Sequence, residues 1–288
     1  MAKVKSEHHI RGGINKKPNL AGVAIGSLLI VLFFGFPYVL MFITSLKTRL
    51  EVTDIPPAYF PESPRWSNYL DVWSSEVNPA SALLSTIVIA GGATLLVLLV
   101  ATPAAYYIAR FRFPGRLVFL LLVLCTQMLQ PTVLGVGLFQ EFKGWSGYAV
   151  WGALILINGA FNLSFAIWIM QAFFASVPKE VDEAALIDGL GRLQTMFRIS
   201  LPLVWPGIVT AIVFVFVNSW NEYAAALILV QQTNLQPLTV AMPRFLGLYV
   251  QDWQYLFTVA LIAILPVIVL FGFIEKRLIG GLTAGSVK

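Results

Sequence analysis

The sequence predicts an all-α integral membrane protein with six membrane-spanning helices, and three observations lead to this prediction. Of the 288 residues, 58% are hydrophobic and only 11% are charged, whereas a soluble domain carries about 25% charged residues. Six apolar stretches are long enough to form the helix of about 20 residues that crosses a bilayer core. The basic residues also fall unequally on the two sides of the membrane that these stretches define.

The six predicted spans occupy residues 20–43, 82–109, 117–139, 148–174, 205–230 and 253–274. The first is too long for the apolar region of a signal peptide, so we expect it to be retained. The fifth is unusual because it contains a charge, Glu222. A transmembrane domain at residues 20–278 is thus expected between tails at 1–19 and 279–288.

Positive charge sets the predicted orientation of the chain. Fourteen of the 19 Lys and Arg residues lie on the side that includes both tails and the loop at 175–204, and five lie on the other side. Because Lys and Arg concentrate in cytoplasmic loops, both termini and this loop are predicted to be cytoplasmic. The net charge of +5 is therefore explained by topology, and no nucleic acid partner is expected.

The cytoplasmic loop has an unusual concentration of charge for so apolar a chain. Pro178 suits a first helical turn, and the acids that follow it lie near the positive end of the helix dipole. Val181, Ala184, Ala185 and Asp188 share one small-residue face. Glycines and a second short helical run follow, which predicts a helix–Gly–helix elbow. The seven charges are Lys179, Glu180, Asp182, Glu183, Asp188, Arg192 and Arg198.

Two interpretations of this elbow compete. A small-residue face ringed by charge suits docking into a groove of another protein. An amphipathic helix lying on lipid is the alternative, but such helices are rich in basic residues. The elbow has four acids against three bases, which favours docking.

The elbow resembles the EAA motif of ABC-importer permeases. Its matching residues are Glu183, Ala184 and Ala185, then Gly189 after three residues, then Ile199, Ser200, Leu201 and Pro202 after nine more. In that family this loop is a coupling helix that sits in a cleft of the ATPase subunit. The resemblance therefore implies ATPase coupling by Glu183, Ala184, Ala185, Asp188, Gly189, Ile199, Leu201 and Pro202.

Further similarity covers nearly the whole chain and narrows to the carbohydrate branch, the MalG-like permeases. The similar segments are Ser45–Thr48 with Asn68, Tyr69 and Trp73; Pro103–Arg116; Trp220–Tyr223; and Gly281–Lys288. The resemblance implies the type I importer fold and import of a mono- or oligosaccharide by alternating access. It also implies two ATP-binding subunits, a second MalF-like permease, an extracytoplasmic solute-binding protein and a multi-pass location in the inner membrane.

The chain has no phosphate-binding G-x-x-x-x-G-K-[ST] loop of its own. It is therefore expected to be a non-catalytic transport subunit that binds no cofactor or metal. ATP and Mg²⁺ are expected on the partner ATPases.

A polar and aromatic cluster near the outer half of the fifth span is the candidate substrate path. It contains Asn218, Trp220, Asn221 and Glu222. Ionisable residues inside a membrane usually face a cavity or a partner, so an interface with the second permease or with the binding protein is the alternative. Lesser candidates are Asn158, Asn162, Gln127 and Gln130, for which interhelical hydrogen bonds are the competing explanation.

Other functions remain as alternatives. The substrate could instead be another polar solute, such as a glycerol phosphate or polyol. An ion-coupled secondary carrier would require several ionisable residues within the spans, and the sequence supplies Glu222 alone. An intramembrane enzyme would require a second acid or a histidine within the spans, and none is present.

Overall fold

The computed structural model describes residues 20–56, 58–126, 132–247 and 251–283, and every regular element in these ranges is a helix. The N-terminal tail, Gln127, Gln130 and the last five residues of the C-terminal tail lie outside the described ranges. The helices run in order as α1 (Leu20–Ser45), α2 (Arg49–Thr53), α3 (Asn68–Asp71), α4 (Pro79–Arg110), α5 (Arg116–Thr126), α6 (Gly135–Phe142), α7 (Ala149–Ser176), α8 (Lys179–Ile187), α9 (Arg192–Thr195), α10 (Leu201–Leu203), α11 (Trp205–Trp220), α12 (Ala224–Leu229), α13 (Leu238–Ala241) and α14 (Trp253–Thr283).

Four of these helices, α1, α4, α7 and α14, are individually long and apolar enough to cross a membrane. A fifth crossing is obtained if the short helices that precede α11 are counted with it, although the pair is bent by 82°. The predicted third span is described as two shorter helices, α5 and α6. The all-helical fold is confirmed, whereas the count of six spans and the position of the termini stay predictions.

Two compact units make up the chain, one ending at Met41 and the other beginning at Phe42. Most of α1 forms the first unit. The second unit is built on α4, which packs along α7 and α11. Its core is lined by small α4 residues one helical turn apart, including Ala101, Ala105 and Ala109. Such residues allow close approach of membrane helices, whose association depends on close packing.

Gly207 marks a close approach of α11 to α7. A Cβ atom at this position would lie 2.3 Å from Cγ of Phe173 and 2.7 Å from its Cβ. Because these atoms are near the root of the phenylalanine side chain, a rotamer change alone would not clear them. The contact therefore requires glycine at position 207.

The predicted outer loop, residues 44–79, is organised by hydrogen bonds between its two halves. The buried Asn68 donates from Nδ2 to the carbonyls of Ser45 and Lys47, at 2.8 and 2.9 Å. Tyr69 Oη lies 2.9 Å from Ser45 Oγ. The two parts of the family-like Ser45–Thr48 and Asn68–Tyr69 motif thus meet in the fold.

A capping box stabilises the N-terminus of α2 in the same loop. The Glu51 carboxylate accepts the Thr48 backbone N–H at 2.6 Å, and Thr48 Oγ1 accepts the Glu51 N–H. The hydrogen bond from Thr48 lowers the pKa of Glu51, because it favours the ionised carboxylate.

Candidate functional site: the elbow at residues 178–204

The first arm of the elbow is α8. Pro178 has extended backbone angles, φ −55° and ψ 141°, so the helix begins at Lys179. Glu180 and Asp182 lie in the first turn, where their charges complement the helix dipole. The first helix of the predicted helix–Gly–helix elbow is present at this position.

A glycine turn ends α8. The Leu190 N–H donates to the Ala185 carbonyl, and the Gly189 N–H donates to the Leu186 carbonyl, both at 3.1 Å. These two bonds form a Schellman motif, which needs a left-handed residue just beyond the helix. Gly189 supplies it with φ +84°, and this explains the glycine at this position in the motif.

The second arm returns towards the membrane helices. It begins at Gly191, whose N–H donates to Gln194 Oε1 at 3.1 Å. α9 leads into a π-helical turn, Met196–Ser200, and then into α10. The chain then bends by 82° into α11, so the second arm connects directly to a helix of the core.

Asp182 anchors the first arm to its surroundings. It is buried, with 7% of its surface exposed. Its carboxylate accepts hydrogen bonds from Ser200 Oγ at 2.7 Å and from Tyr106 Oη at 3.0 Å. The carboxylate therefore joins α8 to the π-helical turn and to the end of α4.

The same carboxylate forms an ion pair with Arg110, the last residue of α4. Arg110 Nε lies 2.7 Å from Asp182 Oδ2, and Nη2 lies 3.4 Å from Oδ1. Arg110 also donates from Nη1 to the Val177 carbonyl at 2.7 Å. The Arg110 guanidinium thus links three places in the chain: the end of α4, the residue that follows α7 and the first turn of α8.

A second basic residue ties the far arm to α4. The Arg192 guanidinium lies over the Phe111 ring at 4.8 Å from its centroid, a cation–π geometry. Phe111 directly follows α4, and its ring stacks on Tyr107 at 4.6 Å. Both arms of the elbow are therefore fixed to the same end of α4.

The structure places the EAA-motif residues at different depths. Ala185 is buried, so the predicted small-residue face is divided between the interior and the surface. Ile199 and Leu201 are half-buried. Five residues are exposed: Glu183, Ala184, Asp188, Gly189 and Pro202.

The surface of the elbow is also more apolar than the small-residue face suggested. Ile187 has 86% of its surface exposed, more than any other large apolar residue of the elbow. The exposed large apolar residues of the two arms are Leu186, Ile187, Leu193, Phe197 and Leu203; we call the first four the elbow patch. Exposed apolar side chains beside charges are typical of interaction surfaces.

The outer polar cluster is built around an interruption of the predicted fifth span. α11 ends at Trp220 and α12 begins at Ala224. The Glu222 carboxylate accepts the backbone N–H groups of Ala225 and Ala226, at 2.6 and 3.1 Å. The Glu222 backbone carbonyl accepts a hydrogen bond from Thr239 Oγ1 at 2.7 Å. Glu222 thus stabilises the start of α12 and ties it to the segment containing α13.

The other members of this cluster do not point to a single site. Trp220 is buried and stacks with Phe216, at 5.3 Å between centroids. Asn218 and Asn221 are exposed, and each donates to the carbonyl four residues earlier in α11. The structure therefore gives Glu222 a backbone-capping role and leaves the two amides at the surface.

Asn158 and Asn162 are buried in α7. Their Nδ2 groups donate to the carbonyls of Leu154 and Asn158, at 2.9 and 2.8 Å. These bonds lie within the helix, whereas the sequence suggested bonds between helices. The difference arises because an amide can reach back one turn along its own helix.

Sequence reasoning missed the partners of Asp182. Tyr106 and Arg110 lie four residues apart and therefore on one helix face, at the predicted cytoplasmic end of a span. The sequence assigns Arg110 to the cytoplasmic positive charge and to the family-like segment Pro103–Arg116, without a partner. The tyrosine–arginine pair at a span end, facing a loop rich in acids, was the available signal.

A family model and individual relatives identify the same class of protein, a membrane component of transport systems. Residues 98–282 match the family described as "Binding-protein-dependent transport system inner membrane component". Over 254 residues, covering 88% of both chains, the protein is 32% identical to the sulfoquinovosyl glycerol transport system permease protein SmoH of Agrobacterium fabrum. It is 29% identical to the trehalose/maltose transport system permease protein MalG of Thermococcus litoralis, over 92% of this chain and 95% of the relative.

The fold has a solved counterpart. A chain of a bacterial ABC transporter involved in the import of the acidic polysaccharide alginate superposes with a TM-score of 0.73. The match covers 94% of this chain and 99% of that chain at 20% identity, so it supports the fold. Family, relatives and fold agree: the chain belongs to the binding-protein-dependent inner-membrane transport components and is a non-catalytic ABC-importer permease subunit of the bacterial inner membrane.

Proposed function

We propose that this permease forms half of the translocation path of an ATP-driven importer for a carbohydrate, and that its elbow transmits closure of the ATPase subunits to the membrane helices. The observation that carries the proposal is the construction of the elbow. Its exposed apolar residues face outward, while its buried carboxylate is bonded to the core.

The elbow has the two properties that a transmitting contact requires. The elbow patch offers apolar surface that a groove on another protein would bury. Asp182, on the same helix as Leu186 and Ile187, is fixed to α4 and to the turn that leads into α11. Displacement of the patch would therefore act on helices of the core and not on a free loop.

A carbohydrate is supported as the substrate class by the names of the related transporters. These name sulfoquinovosyl glycerol, trehalose, maltose and alginate, which share a sugar unit although they differ in size and charge. A mono- or oligosaccharide is therefore the proposed substrate of this chain. A glycerol phosphate or a polyol is the alternative that an uptake assay would identify.

The proposed partners follow from the same family. We infer two ATP-binding subunits, a second MalF-like permease and an extracytoplasmic solute-binding protein. The chain supplies no nucleotide-binding loop, so ATP and Mg²⁺ would be bound by the ATPases alone.

Site-specific crosslinking tests the elbow contact. Ile187→Cys, in a background in which the exposed Cys125 is replaced by Ser, places a thiol on the elbow patch. Membranes containing the whole complex are treated with a short reagent that carries a maleimide at one end and a photoreactive group at the other, irradiated, and the crosslinked product is identified by mass spectrometry. We expect a product with a nucleotide-binding subunit, whose yield changes when ATP is added.

Leu70→Cys is the matched control, because Leu70 is an exposed leucine on α3 in the predicted outer loop. It should give no ATPase product. An ATPase product from Leu70→Cys, or none from Ile187→Cys in a complex that still imports solute, would contradict the proposed contact. Uptake of labelled saccharides, a polyol and a glycerol phosphate by the same complex then tests the substrate class.

A further inference from the structure

A single buried ion pair joins four segments of the chain at the base of the elbow. Arg110 belongs to α4 and also binds the carbonyl of Val177, which follows α7. Asp182 belongs to α8 and also accepts a hydrogen bond from Ser200 Oγ, in the π-helical turn before α11. No other ion pair among the described residues is so enclosed, because the Arg49–Asp252 pair is 3.9 Å apart and partly exposed.

Because this pair is buried, each of its two charges needs the other to compensate it. The exposed fractions of the two side chains are 5% for Arg110 and 10% for Asp182. Arginine and carboxylate contact through two nitrogen–oxygen pairs: Nη2–Oδ1 at 3.4 Å is a hydrogen bond, and Nε–Oδ2 at 2.7 Å is an ion-pair contact without hydrogen-bond geometry. Removal of one partner alone leaves a buried, uncompensated charge, which is strongly destabilising.

The covalent connection between α7 and the elbow is short and extended. Val177 has φ −78° and ψ 129°, and Pro178 has ψ 141°. Backbone of this kind carries no helical hydrogen bonds across the junction, so α8 could pivot on it. The ion pair bridges the junction, because Arg110 holds Val177 and Asp182 at the same time.

The helix α4, which carries the Asp182 contacts, also packs against the other core helices, so it can transmit a movement of the elbow. Tyr106 and Arg110 lie one turn apart on α4, and both contact the Asp182 carboxylate. α4 packs along both α7 and α11. A shift of α8 held rigidly at Asp182 would therefore move α4, and through Ser200 it would also act on the segment that leads into α11.

We propose that Arg110 and Asp182 are positioning residues for energy coupling: their ion pair makes the elbow move as one body with α4 and the start of α11. Without it, the elbow would still bind the ATPase but would turn about Val177 and Pro178. The inference rests on the proposed function of the elbow.

Neutral replacements of the pair test the proposal in the complete transporter with its binding protein and ATPases. Arg110→Gln and Asp182→Asn each leave one buried charge, so each single variant should reduce the yield of assembled complex. The double variant R110Q/D182N leaves no unpaired charge and should recover yield. We expect the recovered complex to import about fivefold fewer solute molecules per ATP hydrolysed, the lower end of typical coupling effects.

Two further variants separate positioning from general stability. R49Q/D252N neutralises the partly exposed Arg–Asp pair in the same manner and should leave transport per ATP unchanged. Arg110→Lys retains the charge but not the planar fork, so it should keep part of the coupling that R110Q/D182N loses. Wild-type coupling in R110Q/D182N at normal complex yield would overturn the proposal.

If R110Q/D182N does not assemble, Arg110→Lys decides the matter, because a single ammonium keeps the charge but lacks the separate nitrogens that hold Val177 and Asp182 at once. Tyr106→Phe/Ser200→Ala is its control, since it keeps the ion pair and removes two hydroxyl bonds to Asp182. A larger loss of transport per ATP in Arg110→Lys than in this control supports the proposal, and unchanged transport per ATP in Arg110→Lys contradicts it.

The crosslink from Ile187→Cys distinguishes this inference from the proposed function. If the ATPase crosslink is absent in the otherwise wild-type protein, the function proposed for the elbow fails. If the crosslink forms and R110Q/D182N couples normally, only the role of the ion pair fails.

Discussion

Gly189 controls the elbow through its backbone conformation. Its φ of +84° is unfavourable for residues with a side chain, yet a Cβ atom at this position would have no neighbour within 4 Å. Substitution should therefore act through backbone strain, at about 1–2 kcal/mol, and not through a clash within the chain. We expect Gly189→Val to disturb the turn and uncouple uptake from ATP hydrolysis, with membrane insertion unaffected.

Gly189→Asn is the matched control, because asparagine tolerates the left-handed region better than other non-glycine residues. Uptake per ATP hydrolysed and complex yield are measured for both variants. Asparagine should retain more activity than valine. Equal loss in both would indicate that the ATPase groove excludes any side chain at this position, and full activity in both would contradict a role for the turn.

At the scale of elements, the contact between α7 and α11 depends on Gly207. Gly207→Ala should destabilise the protein by about 1–3 kcal/mol, the usual cost of overpacking a well-packed contact. The measurement is the thermal unfolding midpoint of the purified protein in detergent. Gly91→Ala is the control, since a Cβ atom on Gly91 of α4 has no neighbour within 4 Å.

The interruption between α11 and α12 gives a prediction for Glu222. Glu222→Ala removes the acceptor for the Ala225 and Ala226 N–H groups, which should cost about 1–3 kcal/mol if they remain unsatisfied. Glu222→Gln keeps one carboxamide oxygen and should lose less. We expect lower thermal stability and complex yield with unchanged preference among sugars. A changed preference in the assembled Glu222→Ala complex would instead place the residue in the solute path.

At the scale of the whole molecule, local patterns in the sequence predicted elements, but contacts between distant segments required the structure. The apolar runs at 82–109 and 148–174 correspond closely to α4 and α7, since length and hydropathy determine such helices. In the run at 205–230, Asn221 and Glu222 lie at the interruption between α11 and α12, but polar residues alone do not distinguish a break in a helix from a polar site within one. The exposed elbow followed from its motif, whereas the pairing of Arg110 with Asp182 joins residues 72 positions apart.

The orientation of the whole molecule rests on the distribution of Lys and Arg and is open to a direct test. In a background that carries Cys125→Ser and lacks the ATPase subunits, Ile187→Cys lies on the elbow and Tyr59→Cys lies in the predicted outer loop, and both native side chains are well exposed. Intact cells and inside-out vesicles are treated with a membrane-impermeant maleimide, and labelling of the purified protein is quantified. Because positive residues mark the cytoplasmic side, Tyr59→Cys should be labelled in cells and Ile187→Cys in vesicles. The reverse pattern would invert the topology and remove the elbow from the side where ATP is hydrolysed.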